Sequence, residues 1–342
     1  MKFGFCVPIF ANPGMAFFRT PFYKKLDWVS IKDSVLLCEK LGYDSLFVAD
    51  HLFLGRNGDI WEGMTIMTAL AAITQRMRII PIHLCNNFRH PGLVAKAVST
   101  ISHIANGRFE LFYDYGWRKA EFDQYGIDFG GSDEERINMM TEGLEVIIGL
   151  LSRERFSYDG RYYRLKDAVC SPKPAKEVPI WMGEANNPAM VTSIVKYADI
   201  FNSMPCSVKG FQKKLEIIRN ECDKQERDFS EIKLSLETQV LIRDTEREVD
   251  QFFKKLEQLK KYNNSYDGDI LDQLKATNPA LESYNSRQKL EDEFLIGTPT
   301  AIMKKLDAFI EEGASHFMLW FMDFPDQQGI KLFAKRVLAR YK

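Results

Sequence analysis

Asp50 and His51 stand side by side at the end of a short run, Ser45-Leu46-Phe47-Val48-Ala49. Histidine changes charge near neutral pH, and an adjacent carboxylate can hold it, so the pair is a candidate acid–base site. Neighbours at a strand end need not touch, and a purely structural role for either residue stays open. Further along, Pro81-Ile82-His83 closes a second apolar run, where proline removes a ladder donor and an irregular backbone is expected. His83 reads either as a site residue or as a satisfied buried histidine. Asp114-Tyr115-Gly116-Trp117 offers a glycine for close backbone approach and aromatic faces that suit a flat ligand. Those aromatics also read as an ordinary rim. Gly183-Glu184-Ala185-Asn186-Asn187-Pro188 opens a helix, whose free N–H groups suit a phosphate. The plainer reading is a capped start with Asn187 at N-cap and Pro188 at N1.

The elements that position these residues alternate between strand and helix. Strands are expected at 3–10, 45–49, 78–82, 109–113, 178–182, 200–203, 233–242 and 317–321. Helices are expected at 31–41, closed by Gly42, and at 65–74, 92–104, 134–151, 188–198, 209–226, 246–262 and 327–341. The Asp159-Gly160 pair predicts a hairpin inside 155–165. Eight strand–helix units predict a (β/α)8 TIM barrel in a single domain over 1–342, with active-site loops at the C-terminal ends of its strands. An open doubly wound sheet is the alternative. No Gly-x-Gly-x-x-Gly follows the first strand, which weakens it. The polar stretch 263–294 breaks the pattern and reads as an insertion, either a lid or a subunit contact.

The 342 residues are 45% hydrophobic and carry a net charge of −1, which gives no electrostatic case for nucleic acid or an anionic membrane. No apolar run approaches the roughly 20 residues of a membrane helix. The opening residues lack a signal-peptide shape, and the six cysteines show no paired metal or redox spacing. A cytoplasmic protein with reduced thiols and no metal is expected.

Taken together, these segments resemble the bacterial luciferase-like superfamily of flavin-dependent oxidoreductases. The resemblance spans nearly the whole chain. Its strongest block is Gly42–Phe53, followed by Thr68–Thr74 with Arg78, and by Arg89-His90-Pro91 with Lys96. Gly107-Arg108-Phe109 then leads to Gly116-Trp117 and Glu121-Phe122. Tyr158–Tyr163, Pro172-Lys173-Pro174, Val178–Gly183 with Tyr197-Ala198-Asp199, and Gly297-Thr298-Pro299 complete the order. The resemblance implies a barrel that binds a flavin or a deazaflavin, with His51 beside the reactive ring and Asp50 orienting it. It implies cofactor contacts from Pro81, Ile82, Asp114, Tyr115, Gly116, Gly183, Glu184 and Ala185, with a non-proline cis bond at Pro81-Ile82 supporting the ring. The chain departs from the pattern at Phe112-Tyr113-Asp114-Tyr115, where many relatives are glycine-rich. It also carries Gly183-Glu184-Ala185 where many have Gly-Gly, a form closer to the luciferases and to FMN. The implied activity is that of a monooxygenase using reduced FMN and oxygen on a small organic substrate. A flavin reductase would supply the cofactor, and the chain would form a homodimer. Hydride transfer by the 8-hydroxy-5-deazaflavin coenzyme F420 is the first alternative, and a non-catalytic flavin-binding protein the second.

Overall fold

The computed structural model describes residues 1–11, 19–54, 58–262 and 287–342. Strand β1 (Lys2–Val7) pairs in parallel with β2 (Ser45–Ala49), and β2 with β3 (Arg78–Ile82). A two-residue strand, β4 (Leu84–Cys85), lies beside β5 (Leu111–Asp114). The antiparallel hairpin of β6 (Phe156–Asp159) and β7 (Arg164–Ala168) forms its own small sheet. The main sheet then continues through β8 (Ile180–Met182), β9 (Ile200–Ser203), β10 (Lys233–Ile242) and β12 (Ala314–Phe321), while β11 (Leu295–Gly297) flanks β10.

The strand order is β3-β2-β1-β12-β10-β9-β8-β5. Two further bonds join its ends, because Ile79 donates to the Arg108 carbonyl and Glu110 donates to that of Ile79, both at 3.0 Å. Eight parallel strands therefore close into the expected barrel. β1 stops at Val7, before Pro8 can interrupt the ladder, and so is shorter than the 3–10 reading. The short strand β11 follows directly on the stretch 263–294 read as an insertion. Residues 263–286 of that stretch lie outside the described residues, and Arg287–Glu293 is a helix.

The helices follow from local chemistry. Asp27 caps α1 (Trp28–Leu41) by accepting from the Ser30 N–H, and Gly42 ends it at φ 94°. Glu62 caps α2 (Gly63–Ile73), and His90 caps α3 (Pro91–Ile104) with Pro91 in its first turn. Helices α4 (Lys119–Tyr125) and α5 (Asp133–Ser152) follow β5. Asn187 and Pro188 start α6 (Pro188–Tyr197) in the plain capped manner. Helices α7 (Val208–Gln225) and α8 (Glu246–Tyr262) complete the outer layer as far as the undescribed segment. Among the described residues, no helix is long and apolar enough to cross a membrane.

The barrel interior is aromatic. Trp181 packs edge-on against Phe47 at 5.6 Å and His316 at 5.1 Å, and lies along Phe112 at 6.0 Å. Each such buried side chain contributes roughly 1.5–3 kcal/mol. Two buried carboxylates are matched to indole donors, with Trp181 Nε1 bound to Glu110 and Trp320 Nε1 to Glu237, each at 2.7 Å. Because side chains alternate along a strand, Glu110, Phe112 and Asp114 form one inward column. Its lower end anchors a tryptophan, and its upper end delivers an acid to the barrel mouth.

Candidate active site

At the C-terminal ends of the strands, Asp50, His51, Ile82, Asp114, Tyr115, Gly116, Gly183 and Glu184 line one cavity. They are the residues picked out from the sequence, gathered from four separate strand ends. Pro81 and Ala185, expected among them, do not line it. Arg19, His83, Trp117, Arg118, Glu121, Glu237 and Trp320 do.

His51 is set by a partner that the strand-end reading did not assign. Its Nδ1 lies 3.0 Å from both carboxylate oxygens of Glu121, in the first turn of α4. A carboxylate only accepts, so Nδ1 carries the proton, and Nε2 is the ring nitrogen left for a bound molecule. Trp117 meets the imidazole edge-on at 5.6 Å. Glu121 is buried, with Arg118 Nη1 at 3.4 Å, and Arg118 also donates to the Phe53 carbonyl. The sequence signal was the spacing: four residues beyond Trp117, at the start of a short helix.

Asp50 does other work. Its two oxygens receive the two terminal nitrogens of Arg89 at 2.9 and 2.8 Å, and Oδ2 also accepts from the Cys85 N–H at 2.9 Å. Arg89 is shared with Glu62 at 2.5 Å, the residue that caps α2. Burial works against the Arg89 charge, but the Asp50 and Glu62 carboxylates outweigh it and raise its pKa. Asp50 thus ties the tip of β2 to β4, α2 and the entry of α3, and the carboxylate that orients His51 is Glu121.

The expected cis bond at Pro81-Ile82 is absent. Ile82 pairs in register with Ala49, and its carbonyl accepts from the Asp50 N–H at 3.2 Å, which requires ordinary extended backbone. Among the described residues, the one non-proline cis bond lies at Gly183-Glu184 instead. There a Cβ on Gly183 would stand 2.2 Å from the Asn202 carbonyl, so only glycine allows this loop to pass β9. Glu184 is clamped by Lys214 Nζ and the Met204 N–H, both at 2.7 Å, and by the N–H of Ala185 at 2.9 Å.

On the opposite wall, His83 Nδ1 lies 2.7 Å from Asp114 Oδ2, and the ring rests on Phe112 at 4.2 Å. Burial lowers the His83 pKa, but the Asp114 hydrogen bond and charge, with Glu237 beyond, more than reverse this and raise it. Its Nε2 is buried without a partner among the described residues. Asp114 also accepts from the Tyr115 N–H at 2.6 Å, and burial followed by the Asp114 charge raises the Tyr115 pKa. Arg19 lies over the Trp320 ring at 4.3 Å and pairs with Glu237 at 3.4 Å.

The residues present fit a flat, polar-edged cofactor. Trp117, Tyr115 and Trp320 supply aromatic wall, His51 and His83 supply ring nitrogens, and the Gly183 loop opens onto the start of α6. A barrel mouth furnished in this way belongs to enzymes whose difficult chemistry is carried by a bound cofactor.

A profile of the luciferase-like monooxygenases matches residues 1–316, and the chain belongs to that family. It is therefore an enzyme, a flavin-dependent oxidoreductase. It is 26% identical over 319 residues to an F420-dependent glucose-6-phosphate dehydrogenase of Microbacterium testaceum, spanning 91% of this chain and 92% of that protein. It is 25% identical over 313 residues to the FMNH2-dependent dimethylsulfone monooxygenase of Pseudomonas fluorescens, spanning 88% and 84%. The solved structure of a long-chain alkane monooxygenase (LadA) shares the fold, with a TM-score of 0.81, 16% identity and coverage of 99% and 90%.

Proposed function

We propose that the protein is a monooxygenase that uses reduced FMN and molecular oxygen on a small organic substrate. The observation that carries this reading is His51, fixed through Nδ1 by the buried Glu121 and presented at the cavity wall beside Trp117. Reduced flavin, when bound, supplies the electrons that activate oxygen. The chain's own residues supply position and a proton. The Gly183–Asn187 loop and the start of α6 would hold the phosphate, with backbone N–H groups as donors. Glu121 fixes the Nδ1 proton of His51, so that Nε2 faces the cavity and could exchange a proton with the bound molecule.

The Gly183-Glu184-Ala185 sequence and the likeness to an FMNH2-dependent monooxygenase support FMN. The likeness to an F420-dependent dehydrogenase supports a second reading, hydride transfer by a deazaflavin without oxygen. Mass spectrometry of the bound cofactor, together with oxygen uptake under a supply of reduced FMN, separates them. Bound FMN with substrate-dependent oxygen consumption is expected. Bound F420 with none would reverse the choice.

We also propose a homodimer through α2 and α3, supported by the exposure of Leu93 and Ile104 on α3. Such an interface should bury at least about 1,000 Å². Light scattering should give twice the chain mass at micromolar concentration, and a monomer would count against this. A cytoplasmic setting accords with six cysteines free of disulfides, and a flavin reductase is the proposed source of reduced FMN.

A further inference from the structure

Five carboxylates line the cavity, and each is already paired. Asp50 holds Arg89, Glu121 holds His51 and Arg118, Glu184 holds Lys214, Glu237 holds Arg19 and the Trp320 indole, and Asp114 holds His83. None is left to receive a positively charged ligand. Besides the His51 Nε2, the lining residue His83 has an Nε2 that is buried and without a partner among the described residues. A buried polar atom of this kind is ordinarily satisfied, by water or by ligand.

We infer that His83, braced by Asp114, binds an anionic oxygen of the substrate, so that the enzyme takes organic acids, carboxylates or sulfonates, in preference to uncharged molecules. This deepens the monooxygenase reading and rests on it. The Asp114 carboxylate fixes the Nδ1 proton, and Phe112 fixes the ring plane. Nε2 therefore has one direction and, when the ring is charged, one N–H to give. Asp114 and Glu237 favour the charged ring, and burial and Arg19 oppose it; the balance lies toward charge. A charged donor to an anionic oxygen makes a short, strong hydrogen bond. Asp114 acts through His83 and is a positioning residue.

Calorimetric titration with benzoate and with its neutral isostere benzamide, without flavin, tests the inference. Benzoate should bind about tenfold or more tightly than benzamide, as expected of a charge-assisted contact. His83→Gln should erase the difference. Asp114→Asn should shrink it, and nitrogen NMR at pH 7 should show His83 losing its charge. Equal binding of the two probes to the native protein would overturn the inference, as would a difference that survives His83→Gln. Circular dichroism and reduced-FMN affinity are measured on the same samples, and His83→Asn replaces any variant that does not fold. Native protein that binds no flavin but prefers benzoate would sink the flavin reading alone. A His83→Gln protein that loses flavin affinity yet keeps the benzoate preference would assign Nε2 to the cofactor and overturn this inference alone.

Discussion

Replacing Asp50 with alanine separates a structural aspartate from a chemical one. In the native protein this buried carboxylate takes both terminal nitrogens of Arg89 and the Cys85 N–H. Removing one member of a buried ion pair ordinarily costs about 3–5 kcal/mol. Here Arg89 keeps Glu62 and is one-fifth exposed, which lowers the figure, while the orphaned Cys85 N–H raises it by about 1 kcal/mol. A net loss of about 3–4 kcal/mol is expected. At roughly 2.1 cal/mol/K per residue, a chain of this length unfolds with about 0.7 kcal/mol/K of entropy, so Tm should fall by about 4–6 °C. Calorimetry measures the shift, and turnover per folded molecule is measured below the transition. The reasoning holds if stability drops and turnover stays within a few-fold. An unchanged Tm with turnover lowered 100-fold or more would return Asp50 to the chemistry and refute the lock.

Three further outcomes follow from the geometry. Glu121→Gln keeps the shape but loses the carboxylate that fixes the Nδ1 proton of His51, so turnover should fall about 10–100-fold; unaltered turnover in the folded variant would count against the pair. Burial above all, with Lys2, Arg78 and the N-terminal amine adding to it, lowers the His316 pKa to about 3, so the unfolded chain binds a proton first and stability is lost as pH falls from about 6.5 toward 3. The contribution reaches about 1.4 kcal/mol per pH unit, and urea unfolding of His316→Gln should show that part of the slope missing. Gly183→Ala pushes a Cβ into the Asn202 carbonyl and should cost at least about 2 kcal/mol along with flavin affinity; a normal Tm would remove the steric argument.

Much of the barrel was legible because strand and helix periods alternate cleanly, and because caps such as Asn187-Pro188 and stops such as Gly42 are local chemistry. β9, β10 and α8 match their expected bounds. β11 was missed because three residues beside a polar stretch carry no period. The strand ends could be found from sequence, but the partners could not. His51 and Glu121 are 70 residues apart, and His83 and Asp114 are 31 apart. Only the closed ring brings them together, which is why the neighbour Asp50 was read as the partner of His51. Pro81 invited an irregular backbone, yet its ladder with Val48 is regular, and the cis bond sits where β8 meets β9.

The most direct test of the central claim compares native protein with His51→Asn in anaerobic titration by reduced FMN, followed by turnover with oxygen on the same preparation. Reduced FMN should bind both proteins within a few-fold, while turnover of the variant falls about 10²–10⁴-fold, the range for losing an acid–base group. Native protein that binds no reduced flavin, or a folded His51→Asn protein with near-normal turnover, would contradict the account.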